Sequence, residues 1–317
     1  MWRKRSRSQI LVFAFAILVA GGTRAAGGAD LTREFQDAYR SNCAFGTAHA
    51  AALRQYQVLF VPGYLSNVDP AHFADQLAWL ASIGVQRDKV AVRPGQSIAI
   101  NAPIIAAAIR ESAKPVILIT HSKGSVDALE ALRAEPSLQA KVKGWLSLQG
   151  AFFGSPVADL LVNGSLLDPA VATTILGLFG GTKESAQGLT TGASLAYYRN
   201  HSAAIGMLLR DVPAIAFAST LDGAPDAHTK TLLEIPLRLM WFAGIRSDGL
   251  VPIDAAVLPG MDFVKVSGID HIAPVMPALQ RFDRVQMTKA LLLALRAPFI
   301  GLPRDAGCDY RRQKSAK

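Results

Sequence analysis

The stretch that most constrains this chain is Pro115-Val116-Ile117-Leu118-Ile119-Thr120-His121-Ser122-Lys123-Gly124-Ser125. A short apolar run rich in β-branched residues reads as a buried strand. It passes without a spacer into Thr120-His121-Ser122-Lys123-Gly124, and a helical pattern follows from Val126 to Arg133. Strand, sharp turn with a Ser at its apex, then helix is the context in which a Gly-x-Ser-x-Gly elbow carries chemistry. A Ser held on such a turn points its hydroxyl away from the sheet. The residues two before and two after it must be small, so that strand and helix can approach. Gly124 meets that need, whereas Thr120 stands where Gly is commonest. His121 is too near Ser122 in sequence to fold back as its base, and is expected to line a pocket or to pack. Taken alone, a Ser followed by small residues is also an ordinary helix N-cap, so the chemical reading depends on partners elsewhere.

Around this stretch the chain alternates. Helical patterns cover Leu31 to Ser41 and Ala48 to Gln55, and Tyr56 to Val61 reads as the first core strand, ended by Pro62-Gly63. Asp69 with Pro70 behind it reads as a helix start, and Phe73, Leu77 and Leu80 give that helix an apolar stripe. Lys89 to Arg93 is expected as a short strand, with Asn101 capping the helix that supplies Ile104, Ile105, Ala108 and Ile109. Beyond the elbow, Lys143 to Leu148, Ala214 to Ala218, Leu237 to Ala243 and Phe263 to Val266 read as further strands, and Ala278 to Leu295 as a closing helix. Strands alternating with helices at this spacing predict an α/β fold, a mostly parallel sheet with helices on both faces. The 317 residues, half of them hydrophobic, suit one large domain of this kind or two modest ones.

One region breaks the rhythm. Between about 155 and 210 no strand pattern occurs, and apolar residues cluster at Leu160-Leu161, Leu166-Leu167, Ile175-Leu176 and Leu178-Phe179, punctuated by Gly177, Gly180 and Gly181. Either an extra helical layer or an inserted helical cap over a site fits this composition; its place between sheet strands favours the cap.

The formal charge of +9 raises the question of nucleic acid, and its distribution answers it. Arg3, Lys4, Arg5, Arg7 and Arg24 carry five of those charges within the first 26 residues, where no acid occurs, leaving +4 for the rest. A small cluster at Arg311, Arg312, Lys314 and Lys317 reads as a solvated tail. The same first 26 residues read as an export signal: a positive start, the apolar run Ile10 to Ala20, then small residues up to a cleavage site near Ala25 or Ala26. Residues 27–317 are thus expected as the mature chain, periplasmic or secreted. The two cysteines, Cys43 and Cys308, agree with export and suggest one disulfide closing both ends onto the domain. Neither has a His or second Cys at ligand spacing, so no metal site is expected of them.

A Ser nucleophile needs a base to take its proton and a third group to orient that base. Gly244 to Pro252 contains Asp248, and Ser267-Gly268-Ile269-Asp270 leads directly into His271. Both follow expected strands, in the order Ser, acid, His. Asp254 and Asp222 are rival acids, and Asp248 before Gly249 is alone an ordinary turn former. Of six His residues, His49 and His72 lie at helix starts and His201 and His228 in the cap or a polar loop; His271 follows a late core strand. A developing oxyanion needs backbone donors. Lys123 follows the nucleophile, and Tyr64, after Pro62-Gly63, lies in the loop behind the first strand.

The combination resembles the α/β-hydrolase superfamily and, within it, bacterial triacylglycerol lipases and related esterases. The likeness is carried by Val61-Pro62-Gly63-Tyr64, Thr120-His121-Ser122-Lys123-Gly124, the run Gly150 to Asp159, Ser247 to Pro252, and Asp270-His271. It implies ester hydrolysis with Ser122, Asp248 and His271 as the triad, Tyr64 and Lys123 as oxyanion donors, and no cofactor. Two departures stand out: Pro62 replaces the His usual before the oxyanion Gly, and Ile272 to Pro277 lacks the acid that calcium-binding relatives place there. The expected substrate is an apolar ester or lipid, with transient contact with lipid interfaces admitted and no nucleic-acid partner. An acyltransferase, a polyhydroxyalkanoate depolymerase and a non-catalytic envelope binding protein remain as alternatives.

Overall fold

The protein's structure, a computed structural model, describes residues 27–41, 44–67, 69, 71–163, 182–221, 233–277, 282–295, 297–299 and 302. The signal expected over residues 1–26, both cysteines, the basic tail, Asp222 and His228 lie outside that set.

Six strands form one parallel sheet in the order β2-β1-β3-β4-β5-β6. They are β1 (Gln57–Val61), β2 (Gln86–Lys89), β3 (Val116–His121), β4 (Val142–Leu148), β5 (Ala214–Thr220) and β6 (Asp262–Ser267). The helices are α1 (Thr32–Arg40), α2 (Thr47–Leu53), α3 (Ala74–Ser82), α4 (Ile98–Glu111), α5 (Lys123–Ala134), α6 (Pro156–Asn163), α7 (Lys183–Gln187), α8 (Thr191–Asp211), α9 (Glu234–Phe242) and α10 (Arg284–Leu295).

Every residue of β1, β3 and β5 is buried, as a parallel sheet covered on both faces requires. Alternate residues feed two separate cores. Leu59, Leu118 and Trp145 pack with Ile105 and Ile109 of α4 and with Leu129 and Leu132 of α5. Phe60, Ile117, Ile119, Leu146 and Phe217 pack on the other face, with Phe35 of α1, Leu80 of α3 and Met287 and Leu291 of α10. Each such side chain contributes about 1.5–3 kcal/mol by leaving water, so the sheet that carries the loops is rigid. Ahead of α1, Phe263 N–H donates to Ala29 O (2.9 Å) and Leu31 N–H to Phe263 O (2.8 Å), so that residues 29–31 run alongside β6.

The run expected as a strand over Leu237 to Ala243 belongs instead to α9. A short apolar run has no period that separates buried strand from buried helix. Here Gly244, at φ +71°, closes the helix, with Ile245 N–H bonded to Met240 O at 2.9 Å. Three smaller shifts accompany it. The second strand lies at Gln86–Lys89 rather than Lys89 to Arg93. The helix expected after Asp69-Pro70 starts at Ala74, behind Phe73 at φ +66°. The fourth helix is N-capped at Ser97, which leaves Asn101 inside it and free for another task. The closing helix is described from Arg284. Between 155 and 210 the described residues form α6, α7 and part of α8 and no strand; the Asp159 carboxylate takes the N–H and hydroxyl of Thr191 at 2.9 and 2.7 Å, tying α6 to α8. No described helix is long and apolar enough to cross a membrane.

Candidate active site

Ser122 sits between β3 and α5 with φ +54° and ψ −127°, a conformation that costs about 1–3 kcal/mol. The surroundings hold it there. Ser122 N–H donates to Leu148 O at 3.0 Å. A Cβ on Gly124 would stand 2.5 and 2.6 Å from the carbonyl oxygens of Val61 and Pro62. A Cβ on Gly63 would meet His121 O and Ser122 Cβ at 2.8 Å and Lys123 N at 3.4 Å. Only glycine allows the first loop to press this closely against the elbow. Thr120 earns its place differently: its hydroxyl bonds Ser125 Oγ at 2.7 Å and accepts from Trp145 Nε1 at 2.9 Å, and Ser147 Oγ joins Ser125 Oγ at 2.9 Å. The elbow is therefore pinned from beneath by hydroxyls where a Gly would only have made room.

Asp248 is buried in the loop after α9, and Leu221 N–H, just past β5, donates to Ser247 O at 2.9 Å to hold that loop at the sheet. Leu250 and Val251 N–H groups donate to Asp248 Oδ1 at 2.9 and 2.8 Å, which leaves Oδ2 for His271 Nδ1 at 2.7 Å. His271 N–H donates to Asp248 O at 2.9 Å, so the pair is joined twice. The carboxylate accepts, so Nδ1 carries the hydrogen and Nε2 presents its lone pair. Of the rival acids, Asp254 pairs instead with Lys265 at 2.7 Å near the surface, and Asp222 lies outside the described residues. Asp270 caps its own turn, accepting from Ile272 and Ala273 N–H at 2.9 and 2.7 Å, while burial pushes its carboxyl up.

Ser122 and His271 line one cavity of about 560 Å3, counting its open mouth. Tyr64 lies at the same wall, and Val157, Ala158 and Leu161 of α6 with Leu189 supply an apolar side. No hydrogen bond joins Ser122 to the His271 ring among the described residues; the two meet as walls of one space. Such contacts commonly tighten only around a substrate. Among the described residues no group of three His, Cys, Asp or Glu side chains is arranged to hold a metal ion.

Behind His271 lies a row of rings in which His121 packs between His271 and His72. His121 Nε2 donates to His271 O at 3.0 Å, the two ring centroids are 4.7 Å apart, and His72 lies 5.1 Å beyond. Burial holds His72 down to about 3, aided by the charge of Lys89 and by His271, and holds His121 well below the usual range, aided by the neighbouring imidazoles. Both stay neutral, so neither competes for a proton with His271. Gln149, at φ +50°, crosses from β4 to donate to Ser219 Oγ (2.6 Å) and Asp270 O (2.8 Å), locking the last loop onto the sheet. His121 packs, one of the two places its position beside Ser122 led us to expect, whereas His72 carries no local signal.

No family model matches this chain, and no curated protein matches its sequence. Solved structures do. A metagenomic carboxyl esterase superposes with TM-score 0.61 at 23% identity, covering 77% of this chain and 76% of that one. The mature form of a Bacillus licheniformis lipase gives 0.58 at 20%, covering 77% and 91%. Phospholipase PlaB from Legionella pneumophila gives 0.53 at 14%, covering 77% and 58%.

Proposed function

We propose that this chain, whose fold is that of the α/β-hydrolases, is an exported serine hydrolase that cleaves carboxylic esters. The observation that carries the proposal is His271, doubly joined to Asp248 and lining the same cavity as Ser122 on its strained turn. In the proposed reaction, His271 Nε2 takes the Ser122 proton as Oγ attacks the ester carbonyl. The N–H groups of Lys123 and Tyr64 receive the oxyanion, at a loop that Gly63 brings against Lys123 N. His271, its Nδ1–H held by Asp248, then protonates the leaving alcohol, and water releases the acyl group by the reverse sequence. Lipid esters or an aliphatic polyester suit the apolar wall of α6, and the esterase and lipases that share the fold point the same way.

Activity on a graded series of p-nitrophenyl esters tests this, together with labelling by a fluorophosphonate. Ser122→Ala is expected to lose labelling and to drop kcat by about 10^4-fold or more. Full activity in that variant sinks the assignment. Product analysis with an added acceptor alcohol separates hydrolysis from acyl transfer, and N-terminal sequencing of the exported chain tests cleavage after residue 25 or 26.

A further inference from the structure

We propose that the buried ammonium of Lys123 is a positioning residue for the oxyanion-binding loop and acts through the ring of Tyr64. The proposal rests on the hydrolase reading above. Lysine is almost never fully buried without a partner, yet Lys123 is 0% exposed. Its partner is Asp127, one helical turn on, whose two carboxylate oxygens both accept from Nζ at 2.8 Å. Asp127 is itself held: Asn101 Nδ2 donates to its Oδ2 at 2.9 Å. Asn101, freed from helix capping, is anchored in turn, accepting from Arg93 N–H at 2.9 Å and donating to Arg93 O at 3.0 Å. A continuous polar chain thus runs from the loop after β2, through α4, into α5.

That chain ends on a ring. Lys123 Nζ lies 5.6 Å from the centroid of Tyr64, within the range of a cation–π contact. The Tyr64 hydroxyl reaches toward Ser185 of α7 without a close hydrogen bond, so the cation over its ring is the restraint it receives from the elbow itself. Tyr64 begins the short 3-10 turn Tyr64–Asn67 directly after Gly63, the residue pressed against Ser122 and Lys123 N. One residue therefore offers its own N–H to the oxyanion and, through its side chain, steadies the residue that offers the other.

Stability does not require this arrangement. Taking two charges out of water costs about as much as their attraction returns, and apolar side chains of similar size commonly serve the fold equally well. An ion pair confined to a single helix also joins no distant elements by itself. What the apolar alternative lacks is a cation to present to Tyr64.

The variants Lys123→Met/Asp127→Leu and Asp127→Asn test this by two routes. The first replaces the pair with apolar side chains and leaves Asn101 bonded to Arg93. The second keeps the shape but strips the ammonium of its counter-charge, and a buried lone amine then loses its proton. Both are expected to lower kcat on a soluble p-nitrophenyl ester by about tenfold, as a displaced rather than deleted donor should. KM should stay within about twofold, and affinity for an alkylboronic acid, which mimics the tetrahedral adduct, should fall in step with kcat. Tyr64→Leu should cost a similar factor, and adding it to either variant should cost less than about twofold more. Unchanged kcat and boronate affinity in folded variants overturn the proposal, as do losses that multiply with Tyr64→Leu. Should Asp127→Asn not fold, the apolar pair carries the comparison. Failure of the underlying reading is separately visible, because Ser122→Ala would then remain active.

Discussion

At the scale of single residues, the site is an exercise in leaving one atom free. Two backbone N–H groups saturate Asp248 Oδ1, so that Oδ2 has His271 as its partner. Asp248→Asn would keep the shape but place an amide where the Nδ1 hydrogen must be accepted, favouring the wrong tautomer. A fall in kcat of about 10^3 to 10^4-fold with little change in KM is expected from steady-state kinetics. His121→Phe keeps the ring in its pocket and removes the donor to His271 O. An unpaired buried carbonyl costs about 1–3 kcal/mol, and the loosened loop should lower kcat by about tenfold; urea unfolding and kinetics measure the two effects separately. Ser122, Asp248 and His271 were legible because each stands in a short turn signature between recognisable apolar runs. The Asn101–Asp127 contact and the His72–His121 stack were not, because each joins residues 26 and 49 positions apart with no local pattern to announce the meeting.

At the scale of elements, the close approach of the first loop to the elbow is the tightest constraint in the fold. Gly124→Ala would drive a methyl into the carbonyls of Val61 and Pro62, both backbone atoms with nowhere to yield. A loss of about 2–3 kcal/mol in denaturant unfolding, with activity impaired beyond what stability explains, is the expected outcome. The alternating rhythm that predicted a parallel sheet survived because β1, β3 and β5 are buried throughout, β4 at every residue but Lys143, and their centres are apolar. An apolar run misled at Leu237 to Ala243, where the segment is a helix that buries Met240 and leaves Trp241 and Phe242 exposed. Asp248 nevertheless reaches His271, because the bond from Leu221 to Ser247 brings its loop to the end of β5 without a strand of its own.

At the scale of the whole molecule, the interior charge pair couples stability to pH in an unusual direction. Burial pushes Asp127 up from 3.8 to about 6, with the Lys123 ammonium only partly opposing it. Between these values the folded chain binds more protons at this site than the unfolded chain, so the site's contribution to stability is full below about pH 4 and is lost as pH rises through 6. The free energy of unfolding of Lys123→Met/Asp127→Leu, relative to the parent chain, should therefore improve from pH 4 to pH 7, as denaturant unfolding across that range measures. The opposite trend would mean that the folded interior favours the carboxylate.

The segment 29–31 beside β6 has a wider consequence. A parallel sheet ends in two rims of unpaired backbone, each a template onto which another chain can zip. Here one rim, β2, is four residues long and reads Gln-Arg-Asp-Lys, charged and exposed. The other is sealed by the chain's own residues through their bonds to Phe263. Trimming that lies a few residues beyond position 26 would bare that rim and leave it open to pairing with another chain.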